Sequence, residues 1–424
     1  MNVEILITGD EIRSGAVIDR NSAYIAMKLE EAGFNVARHT CVGDNVDDLV
    51  LILQEIGSRS DAALVTGGLG PTPDDLTAQA AATSVGVDLV LNLPALHGVE
   101  SYFKARNRKM SDSNKKQAML PRGAELILNP VGTAPGFMLK IKRCLFFFLP
   151  GVPFEMQSMF SDTVLTQLEQ LRGSSCEFNV VKTISIFGLT ESDTAERLSG
   201  ISGMFPEITL GFRPKFPEIQ IKLYGRGKDK KALPQRMAKA AAAVIEEIGD
   251  NVFSEDESSM EAVVGRLLLE KNATLAVAES CTGGLISHLL TNVPGSSGYF
   301  LFSGVTYSNE AKHKVLGVSS KVLERYGAVH EKTAKEMAAG VRQIAESDFG
   351  LATSGIAGPD GGTDEKPVGT VCIGLATRRS TLGYRFFFPF NSRLRNKKIF
   401  TMKALDILRR HLIEFNQLNK PNTR

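Results

Sequence analysis

Several familiar chemical signatures are missing from this 424-residue chain, and each absence narrows what it can do. Its five cysteines, Cys41, Cys144, Cys176, Cys281 and Cys372, are scattered without a C-x-x-C pair, which argues against a disulfide framework and against a zinc knuckle. A reducing cytoplasm is the expected compartment. The opening Met1-Asn2-Val3-Glu4 has no basic stretch followed by a long apolar one, and the longest apolar run, Cys144–Leu149, is too short to span a bilayer. Neither secretion nor membrane insertion is expected. No charge sign dominates: 49 Lys and Arg stand against 47 Asp and Glu, a net charge of +2. With no Lys/Arg block and no RNA-binding signature, a direct nucleic-acid partner is not expected either. The H-E-x-x-H zinc helix, the G-x-x-x-x-G-K-[ST] phosphate loop and the G-x-S-x-G nucleophile elbow are all absent.

What is present belongs to a soluble globular protein, with 43% apolar and 23% charged residues. The length is too great for one ordinary core and implies two or three domains. Residues 3–8, 34–42 and 62–65 have strand character, separated by helical stretches at 22–32 and 47–56, where Asp47 is placed to cap the second helix. Alternating strands and helices imply crossover connections, so residues 1–172 are expected to form an α/β domain with a doubly wound, mainly parallel sheet. Residues 173–255 suggest a small α+β module, with an alternating strand at 218–224 and an Ala-rich helix at 231–248. Residues 256–424 suggest a second α/β domain. Its first helix is signalled by the capping-box spacing of Ser258 and Glu261, and its last includes residues 404–412.

Two segments carry chemistry. In Ala278-Glu279-Ser280-Cys281-Thr282-Gly283-Gly284 an isolated serine follows a short apolar strand, and a helix is expected to begin near Thr282. A nucleophile there would have free amide donors from Thr282 and Gly283 to hold an oxyanion. A serine or threonine at that place is equally a common helix cap. Tyr307 and Lys312 lie at a later strand-to-helix junction, and a partly desolvated lysine can serve a serine as base, although a lone helix lysine is ordinarily just solvated. Ser354 and Gly355 open a glycine-rich loop suited to an anion. His288 and His313 are not at spacings that recommend a Ser-His-Asp triad. In the amino-terminal part, Gly9-Asp10-Glu11, Asn21 and the run Thr66 to Thr77, with Gly67, Gly68 and Gly70, allow close approach of a phosphate. Asp74, Asp75 and Glu155 are candidate ligands for a hard divalent cation. The alternative is that Asp74 caps the next helix and Asp75 sits in its first turn.

The segments AESCTGG at 278–284, VTYSNEAK at 305–312, YGAV at 326–329, SGIAGPDGG at 354–362 and KPVGTV at 366–371 resemble the carboxyl-terminal domain of the CinA (competence/damage-inducible protein A) family. Stand-alone relatives of that domain are nicotinamide-nucleotide (NMN) deamidases. The resemblance implies Ser280 as nucleophile, Lys312 as base and Tyr307 as an assisting or orienting group, with no cofactor. It also implies a substrate site lined by Ser354 and its loop. Where the family has a G-D-R segment near the substrate phosphate, this chain has Asn391-Ser392-Arg393, which carries the role to Arg393. The amino-terminal signature is similar to the molybdopterin-binding-type domain of the same family, which implies ADP-ribose pyrophosphatase activity supported by Mg²⁺, Mn²⁺ or Co²⁺. That signature departs from many relatives at Asp10 and at Asp19-Arg20-Asn21. A homodimer acting on small nucleotides is implied as well. The other reading the family name offers is a binding protein of competence or DNA-damage response, with a nucleotide or pterin held without catalysis.

Overall fold

The computed structural model describes residues 1–173, 178–229 and 231–418, so Cys176, the segment 174–177 just past the expected 172/173 boundary and the last six positions of the expected 256–424 domain lie outside the described residues. The chain divides into two compact units, Met1–Val181 with Tyr224–Arg236, and Lys182–Leu223 with Met237–Arg424. The division passes through residues 173–255, expected as a module of their own, most of which fall in the second unit.

The first unit is built on a six-stranded sheet in the order Asn35–Val42, Asn2–Thr8, Ala62–Thr66, Cys144–Leu149, Gly136–Ile141, Glu125–Ile127. The first four strands run parallel, Gly136–Ile141 runs against them, and Glu125–Ile127 pairs antiparallel to Gly136–Ile141. Ala62–Thr66 is buried at every position, as a central parallel strand covered on both faces must be, which is why it is apolar without alternation. Phe137 stacks on Phe148 across the antiparallel pair with 4.4 Å between ring centroids. The helix after the second strand, Val46–Arg59, is capped by Asn45, whose side chain accepts from Asp47 N (2.9 Å) and Asp48 N (3.1 Å). Asp47, the expected cap, sits instead in the first turn, where its charge suits the helix dipole.

The second unit holds the five-stranded sheet that carries Ser280, ordered Phe300–Val305, Leu275–Glu279, Phe349–Gly355, Thr370–Ala376, Thr381–Phe387. Its first three strands are parallel, Thr370–Ala376 runs against them, and Thr381–Phe387 pairs antiparallel to Thr370–Ala376. Leu275–Glu279 lies second from the edge and is wholly buried. Helices Met260–Glu270 and Arg393–Leu418 contribute Val264, Leu268, Phe400, Leu405 and Leu408 to the main core of this unit. A four-stranded sheet orders Ile208–Lys215, Glu218–Gly227, Phe178–Ile186 and Val252–Ser254. Helix Met260–Glu270 begins after Ser259, with no side-chain cap bond, so the Ser258/Glu261 capping box does not form. Ser258 N instead donates to Asp256 Oδ1. Among the described residues, Cys41, Cys144, Cys281 and Cys372 are free thiols, and no helix is long and apolar enough to cross a membrane.

Candidate active site

Ser280 is the first residue beyond the strand Leu275–Glu279, and its N–H donates to Thr353 O at 3.0 Å, so it still belongs to the parallel pairing. Its place is the carboxyl end of the parallel strands, where ligand sites of α/β sheets form. The helix does not begin at Thr282 as expected. Gly283 (φ 59) and Gly284 (φ 88) are both left-handed, and the helix proper is Leu285–Thr291. Two consecutive residues of that kind prevent a right-handed start and delay it past Gly284. Its first free amides are also taken: the fully buried Glu279 carboxylate accepts from Ile286 N (3.2 Å), Ser287 N (2.9 Å) and Ser287 Oγ (2.6 Å). Gly283 N donates back to Ser280 O at 3.1 Å. The expected oxyanion donor at Gly283 is thus occupied, whereas Thr282 N donates to no protein acceptor among the described residues. Thr282 is no cap either, since its hydroxyl is buried against Thr353 Oγ1 at 2.8 Å.

Lys312 rises from the helix Asn309–Leu316, whose start is fixed by Ser308 accepting from Ala311 N. The lysine is fully buried. Its Nζ lies 3.1 Å from Ser280 Oγ and 2.9 Å from each of the Thr306 and Tyr307 carbonyl oxygens. Burial pushes the amine below the ordinary lysine value. Cys281, wholly enclosed, is itself pushed up to about 12 and stays a thiol. Tyr307 orients Lys312 through its backbone carbonyl. Its phenol, 60% exposed, accepts instead from Arg393 Nη2 at 3.0 Å. Arg393 Nη1 donates to Gly358 O at 2.7 Å, which ties the start of the last helix to the glycine-rich loop.

Ser354 and Gly355 are structural members of the site. Ser354 is buried and its hydroxyl donates to Ala328 O at 2.7 Å, so it holds the 326–329 segment and has no hydroxyl proton left for a ligand. A side chain at Gly355 would meet Thr370 O at 2.6 Å and Cys281 Sγ at 3.2 Å. Two residues with no assigned role in the sequence reading belong here too. Glu279 was signalled only by a charge ending an apolar strand. Lys397 had no signal at all: it is half-buried in the helix Arg393–Leu418, and its Nζ stands 3.4 Å from the place of a Cβ on Gly283.

In the first unit a cavity of about 800 Å³ is lined by Glu11, Asn21, Asp44, Gly67, Asp74 and Glu155 among others. Asn21 donates to Thr66 Oγ1 (3.0 Å) and Gly151 O (2.7 Å), while its buried Oδ1 has no partner. The glycines expected to admit a phosphate are required by the protein itself. A side chain on Gly67 would meet Thr8 O at 2.5 Å, one on Gly68 would strike Thr77 Oγ1, and one on Gly70 would meet Asp75 Oδ2 at 2.5 Å. Asp75 accepts from Thr72 N at 2.8 Å, and Glu155 accepts from Asn129 Nδ2 at 2.6 Å with its acidity weakened by burial. Asp74, Asp75 and Glu155, the expected ligand set, all line this cavity, though among the described residues no group of three acidic, His or Cys side chains is close enough together to hold a metal ion. Asp74 does not cap the next helix and Asp75 is not in its first turn, since that helix, Thr77–Val85, follows Leu76 without a side-chain cap bond and has no acidic residue in its first turn.

Set against known proteins, residues 257–412 match the CinA C-terminal domain, residues 4–170 a probable molybdopterin binding domain, and residues 181–254 the damage-inducible protein CinA KH domain. A CinA-like protein of Desulfosudis oleivorans is 51% identical over 413 residues, which are 97% of this chain and 100% of the relative. The chain belongs to the CinA family. A second CinA-like protein, from Geobacter metallireducens, is 44% identical over 97% of this chain and 100% of its own length. A crystal structure of competence damage-inducible protein A from Klebsiella pneumoniae is 33% identical, covers 37% of this chain and 96% of that one, and has a TM-score of 0.36. The match over residues 4–170 agrees with the parallel-rich sheet of the first unit, and the match over 257–412 contains Ser280, Lys312, Arg393 and Lys397.

Proposed function

We propose that this CinA-family protein is an amidohydrolase that converts the carboxamide of NMN to nicotinate mononucleotide and ammonia, a step of pyridine-nucleotide salvage. The observation that carries the reading is the fully buried Lys312 amine 3.1 Å from Ser280 Oγ, with only neutral groups as its other partners. A neutral amine has two N–H groups and one lone pair. With the Thr306 and Tyr307 carbonyls accepting the two protons, the lone pair is directed at the Ser280 hydroxyl.

Lys312 takes the Ser280 proton as Oγ bonds to the amide carbon, and the charge passes to the carbonyl oxygen, for which the Thr282 N–H is the available donor. The C–N bond then breaks as Lys312 returns the proton to the leaving nitrogen, which departs as ammonia. Water loses a proton to the same amine, attacks the acyl-serine and frees the carboxylate and Ser280. Lys312 carries every proton, so the reading calls for no cofactor. Ser280→Ala protein that remains folded should release no ammonia from NMN; near-normal turnover would remove the serine from the mechanism.

The unpartnered Asn21 Oδ1 in the amino-terminal cavity supports a second, separate reading for that unit: it binds a nucleotide or pterin. The acidic trio does not form a metal group, and no cleavage step is derived from it. Calorimetry with ADP-ribose tests binding. Release of AMP from ADP-ribose in the presence of Mg²⁺, Mn²⁺ or Co²⁺ would show instead a pyrophosphatase.

A further inference from the structure

Two cations, Arg393 and Lys397, stand by the turn that carries Ser280 and the neutral Lys312 amine, and among the described residues neither has a carboxylate partner. Lys312 contacts only Ser280 and two carbonyls. Arg393 donates only to Gly358 O and the Tyr307 phenol. Lys397 is half-buried and makes no hydrogen bond or ion pair. Glu279, the carboxylate next to the nucleophile, is spent on Ile286 and Ser287, and the first turn of the helix Arg393–Leu418 contains no acidic residue. Arg393 and Lys397 are four residues apart on that helix, so they share one face, where like charges repel. The Tyr307 bond of Arg393 and the approach of Lys397 to Gly283 turn that face toward the nucleophile. A half-buried lysine without a counter-charge beside a second cation raises the free energy of the empty site, and an anion held between them lowers it.

Lys397 lies along the direction that a Gly283 side chain would take, and the Gly283 N–H points elsewhere, to Ser280 O. The amine is therefore placed to meet a distal group of a bound molecule rather than the oxygen of the reacting carbonyl. We propose that Lys397 is a specificity-determining residue that closes, opposite Arg393, on the phosphate monoester of the substrate, so that the site selects amides bearing an anionic group. The absence of a Cβ at Gly283, which its left-handed φ of 59 also favours, leaves room for the lysine to do so. The identity of the reacting amide rests on the amidase reading; the capture of the anion does not.

The test compares the full-length wild type with Lys397→Met and Lys397→Arg, measuring ammonia release from NMN and from its neutral counterpart, nicotinamide riboside. Lys397→Met should raise KM for NMN by roughly 10- to 100-fold, each tenfold being about 1.4 kcal/mol, with kcat nearly constant and a far smaller change in riboside kinetics. Lys397→Arg should restore most of the loss. An equal change for both substrates, or a fall in kcat at constant KM, would overturn the assignment. Calorimetry with ribose 5-phosphate separates this from failure of the amidase reading, because any binding in the amino-terminal unit is common to both proteins and only the difference reports Lys397. If the wild type releases no ammonia from NMN yet binds ribose 5-phosphate more tightly than Lys397→Met, the anion clamp stands and the amidase reading falls. Equal binding by the two proteins overturns the clamp.

Discussion

Lys312 Nζ meets the carbonyl oxygen of Tyr307 at 2.9 Å, while the phenol of the same tyrosine bonds to Arg393 at 3.0 Å. One residue thus touches the base through its backbone and the anion-facing arginine through its side chain. Only the second contact can be removed by substitution.

Tyr307→Phe is expected to keep kcat for ammonia release, because the carbonyl on Lys312 remains. Loss of the hydrogen bond to Arg393 should raise KM for NMN about fivefold, the equivalent of about 1 kcal/mol. A collapse of kcat would mean that the phenol takes part in the chemistry.

The pH dependence follows from the buried lysine. Its amine is held below the ordinary value of 10.5 by burial, and only the neutral form has a lone pair for the Ser280 proton. The value of kcat/KM should therefore rise with pH through a midpoint below 10.5, level off above it, and fall as acid protonates the amine. Lys312→Ala should lose about 10²- to 10⁴-fold in kcat, together with that acid limb. A wild-type profile with no acid limb at any pH below 10.5 would exclude Lys312 as the base.

Glu279 predicts a stability effect. Glu279→Ala leaves the buried Ile286 N–H and the Ser287 donors without an acceptor, at a cost of about 1–3 kcal/mol for an unsatisfied buried group. Glu279→Gln retains an acceptor oxygen and should lose less. Urea denaturation of the two variants gives the order, and equal midpoints would contradict the role assigned to the carboxylate.

In the first unit, Asn45→Ala should cost about 1 kcal/mol through loss of a helix cap, and Asp47→Ala distinctly less. The reverse order of denaturation midpoints would restore Asp47 as the cap.

Alternation and apolar runs made the parallel strands legible, and Ser280 stood out because a polar residue followed one of them directly. The small local devices were less so. Asn45 and Asp47 are both good caps by type, and backbone geometry decided between them. Asp74, Asp75 and Glu155 read as a ligand set because acidic residues near glycines often are; in the fold all three line one cavity, with Asp75 bonded to Thr72 and Glu155 to Asn129. Gly283 and Gly284 marked a turn, but their paired left-handed conformation, which moves the helix start to Leu285, is a property of the folded backbone.

By itself the sequence determined the α/β class, the family motifs and the residue types available for acyl chemistry, because periodicity and short motifs are local. Tertiary structure alone decided how those groups act together. Lys312 lies 32 residues from Ser280 and Arg393 lies 86 from Tyr307, and no local pattern records such a meeting. The lowered basicity of Lys312 and the open approach of Lys397 past Gly283 arise from burial and from space, which exist only once the strands and helices have packed.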